Sequence, residues 1–105
     1  MSEPSLVLKK TPEFHDWYSE LSETERTRVD ARLDRAKQGH FGASRDLGEG
    51  LLEFKWANGM RIYYSRKRIQ GIDVLVLWGG FKGTQKGDIR KARRLKAEYE
   101  HDLEN

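Results

Sequence analysis

Leu51-Leu52-Glu53-Phe54-Lys55-Trp56-Ala57-Asn58-Gly59-Met60-Arg61-Ile62-Tyr63-Tyr64 is the stretch on which the fold turns. Leu52, Phe54 and Trp56 alternate with Glu53 and Lys55, the period-two pattern of a half-buried strand. Asn58-Gly59 marks a turn, and a second strand runs from Met60 to Arg68. Loop length fixes how the two strands pair. A two-residue Asn-Gly loop pairs Trp56 with Arg61, which puts Arg61 beside Phe54 and turns Ile62 and Tyr64 to water. A three-residue loop of Ala57, Asn58 and Gly59, with Gly59 left-handed in a G1 bulge, pairs Trp56 with Met60 instead. Leu52, Phe54, Trp56, Met60, Ile62 and Tyr64 then share the core face, and Glu53, Lys55, Arg61 and Tyr63 share the other. An unpaired guanidinium is costly to bury, far more so than a change of turn type, so the bulged register is expected.

The rest of the chain arranges itself around this hairpin. Asp73–Trp78 is apolar on both faces, as a central strand is. After Gly79-Gly80-Phe81-Lys82-Gly83, a last helix starts near Thr84 or Gln85. It turns Ile89, Ala92, Leu95 and Tyr99 inward, with Leu103 ending the same stripe, and shows Arg90, Lys91, Arg93, Arg94 and Lys96 outward. Upstream, residues 5–10 read as a short strand. Thr11-Pro12-Glu13 opens a helix, with Thr at the N-cap and Pro at N1, whose buried face is Phe14, Trp17, Tyr18 and Leu21. Ser22-Glu23-Thr24-Glu25 is a capping box for a second helix that runs to about Gln38 and stops at Gly39. Its apolar stripe is thin (Val29, Leu33, Ala36), so the rest of that helix is expected in solvent. The two helices form an αα-hairpin. The glycine-rich run from Gly39 to Gly50 lacks the Lys-Ser/Thr and helix of a phosphate-binding loop and reads as plain connection. The expected architecture is one α+β domain over residues 1–105: an N-terminal short strand and αα-hairpin, a three-stranded antiparallel meander and a C-terminal helix.

Charge is unevenly spread. Residues 55–96 carry 12 Lys/Arg against two acids, whereas the first fifty carry eight against ten. The basic block also holds Tyr63, Tyr64, Trp78 and Phe81. A positive field interleaved with aromatics suits nucleic acid, RNA in particular. The absence of cysteine excludes disulfides and thiol chemistry. His15, His40 and His101 lack ligand spacing, so neither metal nor cofactor is expected. No apolar run approaches the roughly 18 residues of a membrane span. Met1-Ser2-Glu3-Pro4 has no signal-peptide character, which gives the cytoplasm as the expected address.

Several motifs together resemble a known family. Leu47-Gly48-Glu49-Gly50-Leu51-Leu52-Glu53-Phe54-Lys55, Met60-Arg61-Ile62-Tyr63-Tyr64, Leu77-Trp78-Gly79-Gly80-Phe81-Lys82-Gly83-Thr84-Gln85, then Asp88-Ile89 and Ala92, are similar to the RelE/ParE toxin superfamily. The nearest branch is the phage Gp49-like, HigB-like group of addiction-module killer proteins. Gly39-His40-Phe41-Gly42 resembles that group's loop before the sheet, and the resemblance spans roughly residues 12–97. It implies a RelE-like fold and the toxin half of a type II toxin–antitoxin pair. It further implies a cognate helix-turn-helix antitoxin, through which alone operator DNA is reached, and a metal-free endonuclease acting on mRNA in the ribosomal A site, against rRNA. Arg61 matches the family's strand arginine, Lys55 sits where that branch commonly has Arg, and Lys82 and Gln85 match the Lys and Gln after the strand. The hairpin is shorter than the family's Gly-Pro-Gly turn.

Metal-free RNA scission needs a base for the 2′-hydroxyl, charge stabilisation at phosphorus and a proton for the leaving 5′-oxygen. Arg61 is the expected phosphate clamp, with Lys82 as a second cation beside a helix N-terminus. Lys55 or Lys82 is the candidate base, and Tyr63 or Arg61 the proton donor or stabiliser. Phe81 is the candidate stacking residue, with Gln85, Arg90, Arg93 and Arg94 as further substrate contacts. Plainer roles stand beside these. Glu53 pairs with Lys55 or Arg61, Gln85 caps the last helix, Asp88 answers the helix dipole, and Trp17, Trp56 and Trp78 are core. Two other functions fit the same motifs: a ParE-like inhibitor that binds gyrase, and a non-catalytic module that binds only antitoxin and nucleic acid.

Overall fold

The structure is a computed structural model and describes residues 5–105. The reading of Met1–Pro4 falls outside the described residues. The chain runs through β1 (Leu8–Lys10), α1 (Pro12–Ser19), α2 (Glu23–Lys37), β2 (Ser44–Asp46), β3 (Leu51–Lys55), β4 (Met60–Ser65), β5 (Val74–Phe81), a 3₁₀ turn at Lys82–Thr84 and α3 (Gln85–Glu104). The strands form one five-stranded sheet in the order β1-β5-β4-β3-β2. The meander is therefore extended at both edges. β1 joins β5 in parallel, and β2 joins β3 antiparallel. The second addition corrects the reading of Gly39–Gly50 as plain connection. Ser44, Arg45 and Asp46 pair opposite Phe54, Glu53 and Leu52.

The helix caps are those the sequence announces. Thr11 Oγ1 accepts from Phe14 N, and Ser22 with Glu25 completes a reciprocal capping box. The hairpin takes the bulged register. Trp56 N donates to Met60 O, Lys55 lies opposite Arg61, and Gly59 sits at φ 94°. That backbone conformation is disfavoured for residues with a side chain. The strand after it ends at Ser65 rather than Arg68. A two-residue turn at Gln70 and Gly71, both with positive φ, then leads through the Ile69–Ile72 bridge into β5.

The larger correction concerns the sheet's second face. One face packs under α1 and α2: Phe14, Leu21, Val29, Leu33 and Ala36 close over Phe54, Met60, Ile62, Tyr64, Val74 and Val76. The other was expected to be a polar surface, but α3 covers it. Ala92 and Leu95 pack against Leu51, Tyr63, Leu75 and Leu77. β4 is consequently buried along its whole length, and Glu53, Arg61 and Ser65 are interior polar groups.

β5 carries an irregularity that sets up the site. Tyr63 lies opposite Trp78, whereas the next residue, Tyr64, lies opposite Val76, so Leu77 is an extra residue in β5. Leu77 and Trp78 both pack on the α3 side. Beyond them Gly79 faces Trp17 of α1 and Gly80 faces Asp88 of α3. A Cβ on Gly79 would overlap the Trp17 indole, and one on Gly80 would overlap the Asp88 carboxylate. The two glycines let both helices approach the end of β5 closely.

Candidate active site at the hairpin tip

The register places Lys55 and Arg61 side by side on the α3 face at the end of the hairpin. Met60 pairs with Phe81, which brings the chain after β5 against the turn, so that a Cβ on Gly59 would touch Lys82 Cβ. Arg61 Nη1 donates to Gly59 O at 2.7 Å. Lys55, Arg61 and Lys82 thus converge at one corner of the sheet. Lys55 and Lys82 are exposed, and neither has an acid within ion-pair distance among the described residues.

Arg61 is different, being only 7% exposed. Its Nε faces Glu53 Oε2 at 3.6 Å, and Glu53 has no exposed surface. Glu53 also meets Arg45 Nε at 3.2 Å and accepts from Gln85 Nε2 at 3.1 Å. Gln85 therefore binds the buried carboxylate from the first turn of α3. Arg45 went unseen in the sequence because its strand carries no apolar residue.

Tyr63 lies directly opposite Glu53 and is fully buried beneath α3. Burial first, and the adjacent Glu53 charge second, hold its phenol well above the usual range. This corrects its expected place on an open polar face, because an enclosed hydroxyl cannot touch a substrate in this conformation. Phe81 is 36% exposed, but pairing with Met60 puts it on the α1 side, where its ring lies 6.2 Å from that of Trp17. The sheet separates it from Arg61.

The outer face of α3 is also more selective than its sequence indicates. Arg93 donates to Leu47 O and Gly48 O and so pins α3 to the β2–β3 loop. Lys91 lies over the Trp78 ring, and Lys96 pairs with Glu100. Arg90 and Arg94 remain exposed, and with Lys82 and Lys86 they fall at four-residue intervals along one stripe. A shallow depression of about 420 Å³ along Lys82–Gly87 runs into another of about 310 Å³ lined by Gly87, Arg90, Lys91 and Arg94. Asp88, read as a first-turn acid, accepts from Trp78 Nε1 at 3.0 Å and Thr84 Oγ1 at 2.5 Å. A deeper cavity of about 460 Å³ lies apart from these cations, between α1 and α2 around Phe14, Tyr18 and Leu33. Among the described residues no His, Cys, Asp and Glu cluster suited to a metal occurs, and no helix is long and apolar enough to cross a membrane.

The sheet order, the αα-hairpin and the covering C-terminal helix define a RelE-like α+β fold. The crystal structure of the isolated E. coli RelE toxin superposes with a TM-score of 0.61 at 16% identity, covering 82% of this chain and 98% of that one. No family model matches the sequence. An uncharacterized protein of Haemophilus influenzae (strain ATCC 51907 / DSM 11121 / KW20 / Rd) is 30% identical over 95 residues, which is 90% of this chain and 96% of the other. The chain belongs to the family of that Haemophilus influenzae protein.

Proposed function

We propose that this protein is the toxin of a type II toxin–antitoxin pair, of the HigB-like, phage Gp49-like branch. It arrests translation in the cytoplasm by metal-free cleavage of mRNA in the ribosomal A site. A cognate helix-turn-helix antitoxin restrains it, and operator DNA is reached only through that antitoxin. The observation that supports this reading is the corner where the hairpin register and the chain after β5 bring Lys55 and Lys82, exposed and without ion-pair partners among the described residues, next to Arg61. Arg61 Nη2 makes no hydrogen bond among the described residues, and it is not among the enclosed orphan atoms. It is the part of Arg61 left to meet a phosphate oxygen. Lys55 or Lys82, in its neutral form, takes the 2′-hydroxyl proton. The 2′-oxygen then attacks phosphorus, Arg61 balances the charge that develops, and the bond to the 5′-oxygen breaks as that oxygen takes a proton from the other lysine. Lys86, Arg90 and Arg94 continue the positive surface along rRNA or mRNA phosphates.

A gyrase-binding, ParE-like role is the second reading. The enclosed Tyr63 hydroxyl favours it, because one candidate proton donor is withdrawn. One experiment separates the two. The protein is induced in cells, and mRNA 5′ ends and plasmid supercoiling are measured together. Cuts in frame on translated messages are expected, falling ten- to a hundredfold with Lys82→Ala or Lys55→Ala. Both positions are exposed, so melting temperatures should hold. Intact messages with altered supercoiling would reject the endonuclease.

A further inference from the structure

Three interior polar atoms lack a hydrogen bond of good geometry among the described residues: Glu53 Oε1, which meets Arg45 Nε only as an ion pair at 3.2 Å, Arg61 Nε, and Tyr63 Oη beside the Glu53 carboxylate. They form one group on the α3 face, since Glu53 is opposite Tyr63 and next but one to the Lys55–Arg61 pair. Buried polar atoms are bonded in the great majority of cases, so three orphans in one place call for a cause. The Arg61–Glu53 contact at 3.6 Å is an ion pair longer than a hydrogen bond. A cluster selected only for stability would close that gap.

The carboxylate itself is held from two further directions. Arg45 of β2 faces Oε1, and Gln85 of α3 donates to Oε2. Arg61 is tied at Nη1 by the turn carbonyl of Gly59. With Nη1 bonded and Nε turned to the anion, two of the three guanidinium nitrogens are constrained, and Nη2 is the one left without a hydrogen bond among the described residues.

We propose that Glu53 is a positioning residue that sets the direction of Arg61 toward a phosphodiester, with Gln85 holding Glu53. This rests on the reading of Arg61 as the phosphate ligand. Glu53 has no exposed surface, so it cannot itself take a proton from a 2′-hydroxyl. The long ion pair lets Nε close on Glu53 by a few tenths of an ångström when a phosphate binds, with Nη1 kept on Gly59 O. Contacts of this kind tighten in the reacting complex.

The test is a double-mutant cycle on ribosomes programmed with mRNA, read as single-turnover cleavage. Glu53→Gln should slow cleavage at least tenfold, leave the half-saturating ribosome concentration unchanged and keep the shape of the pH profile. Arg61→Gln should abolish cleavage. The double variant, in which neither buried charge is left alone, should be no slower than Arg61→Gln. Losses that multiply in the double variant, or a pH profile that loses a limb in Glu53→Gln, overturn the positioning role. If Arg61→Gln cleaves normally, the phosphate-ligand reading fails; if it is inactive while Glu53→Gln is not, only the positioning role fails. A second readout needs no cleavage. The ¹⁵N signal of Arg61 Nε–H should be sharp in the wild type and exchange-broadened in Glu53→Gln and Gln85→Ala, and unchanged signals in both variants refute the proposal.

Discussion

Replacing Arg32 with leucine tests whether one cation ties α2 to the edge of the sheet at β3 and the segment before β2. Arg32 is a buried residue of α2. Its Nη1 donates to Lys55 O at 2.9 Å, and its Nη2 donates to Ala43 O. The guanidinium carbon lies 4.9 Å from the Phe54 ring centroid and 4.8 Å from that of Trp56. Burial, with Arg35 nearby, holds its pKa below the ordinary arginine value, so the folded state bears a desolvation cost that these contacts offset. Leucine keeps the apolar stem and removes everything else. Each bond from a charged donor contributes about 1.5 kcal/mol at the low end, and each cation–π contact adds roughly 0.5 kcal/mol or more. Allowing for water reaching the freed carbonyls, the loss is about 3 kcal/mol. At 4–8 °C per kcal/mol for a domain of this size, the melting temperature should drop by about 12–24 °C. Chemical denaturation with an unchanged m-value gives the number directly. Arg32→Lys should recover only part of it, since an ammonium cannot span two carbonyls with a planar fork. A loss below about 1 kcal/mol for Arg32→Leu would show that the carbonyls are satisfied by solvent and that the reasoning is wrong.

Other perturbations follow from the same contacts. Tyr63→Phe removes a buried hydroxyl that lies beside the Glu53 carboxylate without a well-formed hydrogen bond, so stability at neutral pH should change by no more than about 1 kcal/mol, measured by urea unfolding. The same variant should alter the alkaline limb. The folded phenol ionises above the unfolded value of about 10. The unfolded state therefore loses its proton first, and stability falls as pH rises past 10. Tyr63→Phe should flatten that fall. Gly79→Ala drives a methyl into the Trp17 indole and should cost about 3 kcal/mol, seen as a lower melting temperature and a changed tryptophan emission.

What could be read from the sequence, and what could not, divides along physical lines. The hairpin register was legible because the wrong one would have put Arg61 beside Phe54. The caps at Thr11 and Ser22 were legible because they are local hydrogen-bond patterns. β2 was not, since Ser44-Arg45-Asp46 has no hydrophobic period and pairs only because β3 offers an open edge. The burial of Glu53, Arg61 and Ser65 was hidden for a related reason. Their polarity signals solvent, whereas their partners, Arg45, Gln85 and Glu100, come from other elements. The cations of the candidate site were named from sequence, but which of them are free was not. Arg93 and Lys91 look like Arg90 and Arg94 until the carbonyls of Leu47 and Gly48 and the ring of Trp78 are in place.

The extra residue in β5 acts as a phase shift in the strand's inside–outside alternation. Up to Leu77 the side chains keep one beat; from Trp78 onward they keep the opposite one. Deleting Leu77 would therefore restore an even alternation: Val76 would stay opposite Tyr64 and Trp78 opposite Tyr63, with Gly79, Gly80 and Phe81 on the faces they already occupy. What would be lost is one apolar side chain beneath α3. In comparisons among relatives, a one-residue gap at Leu77 is the one that the basic corner can absorb.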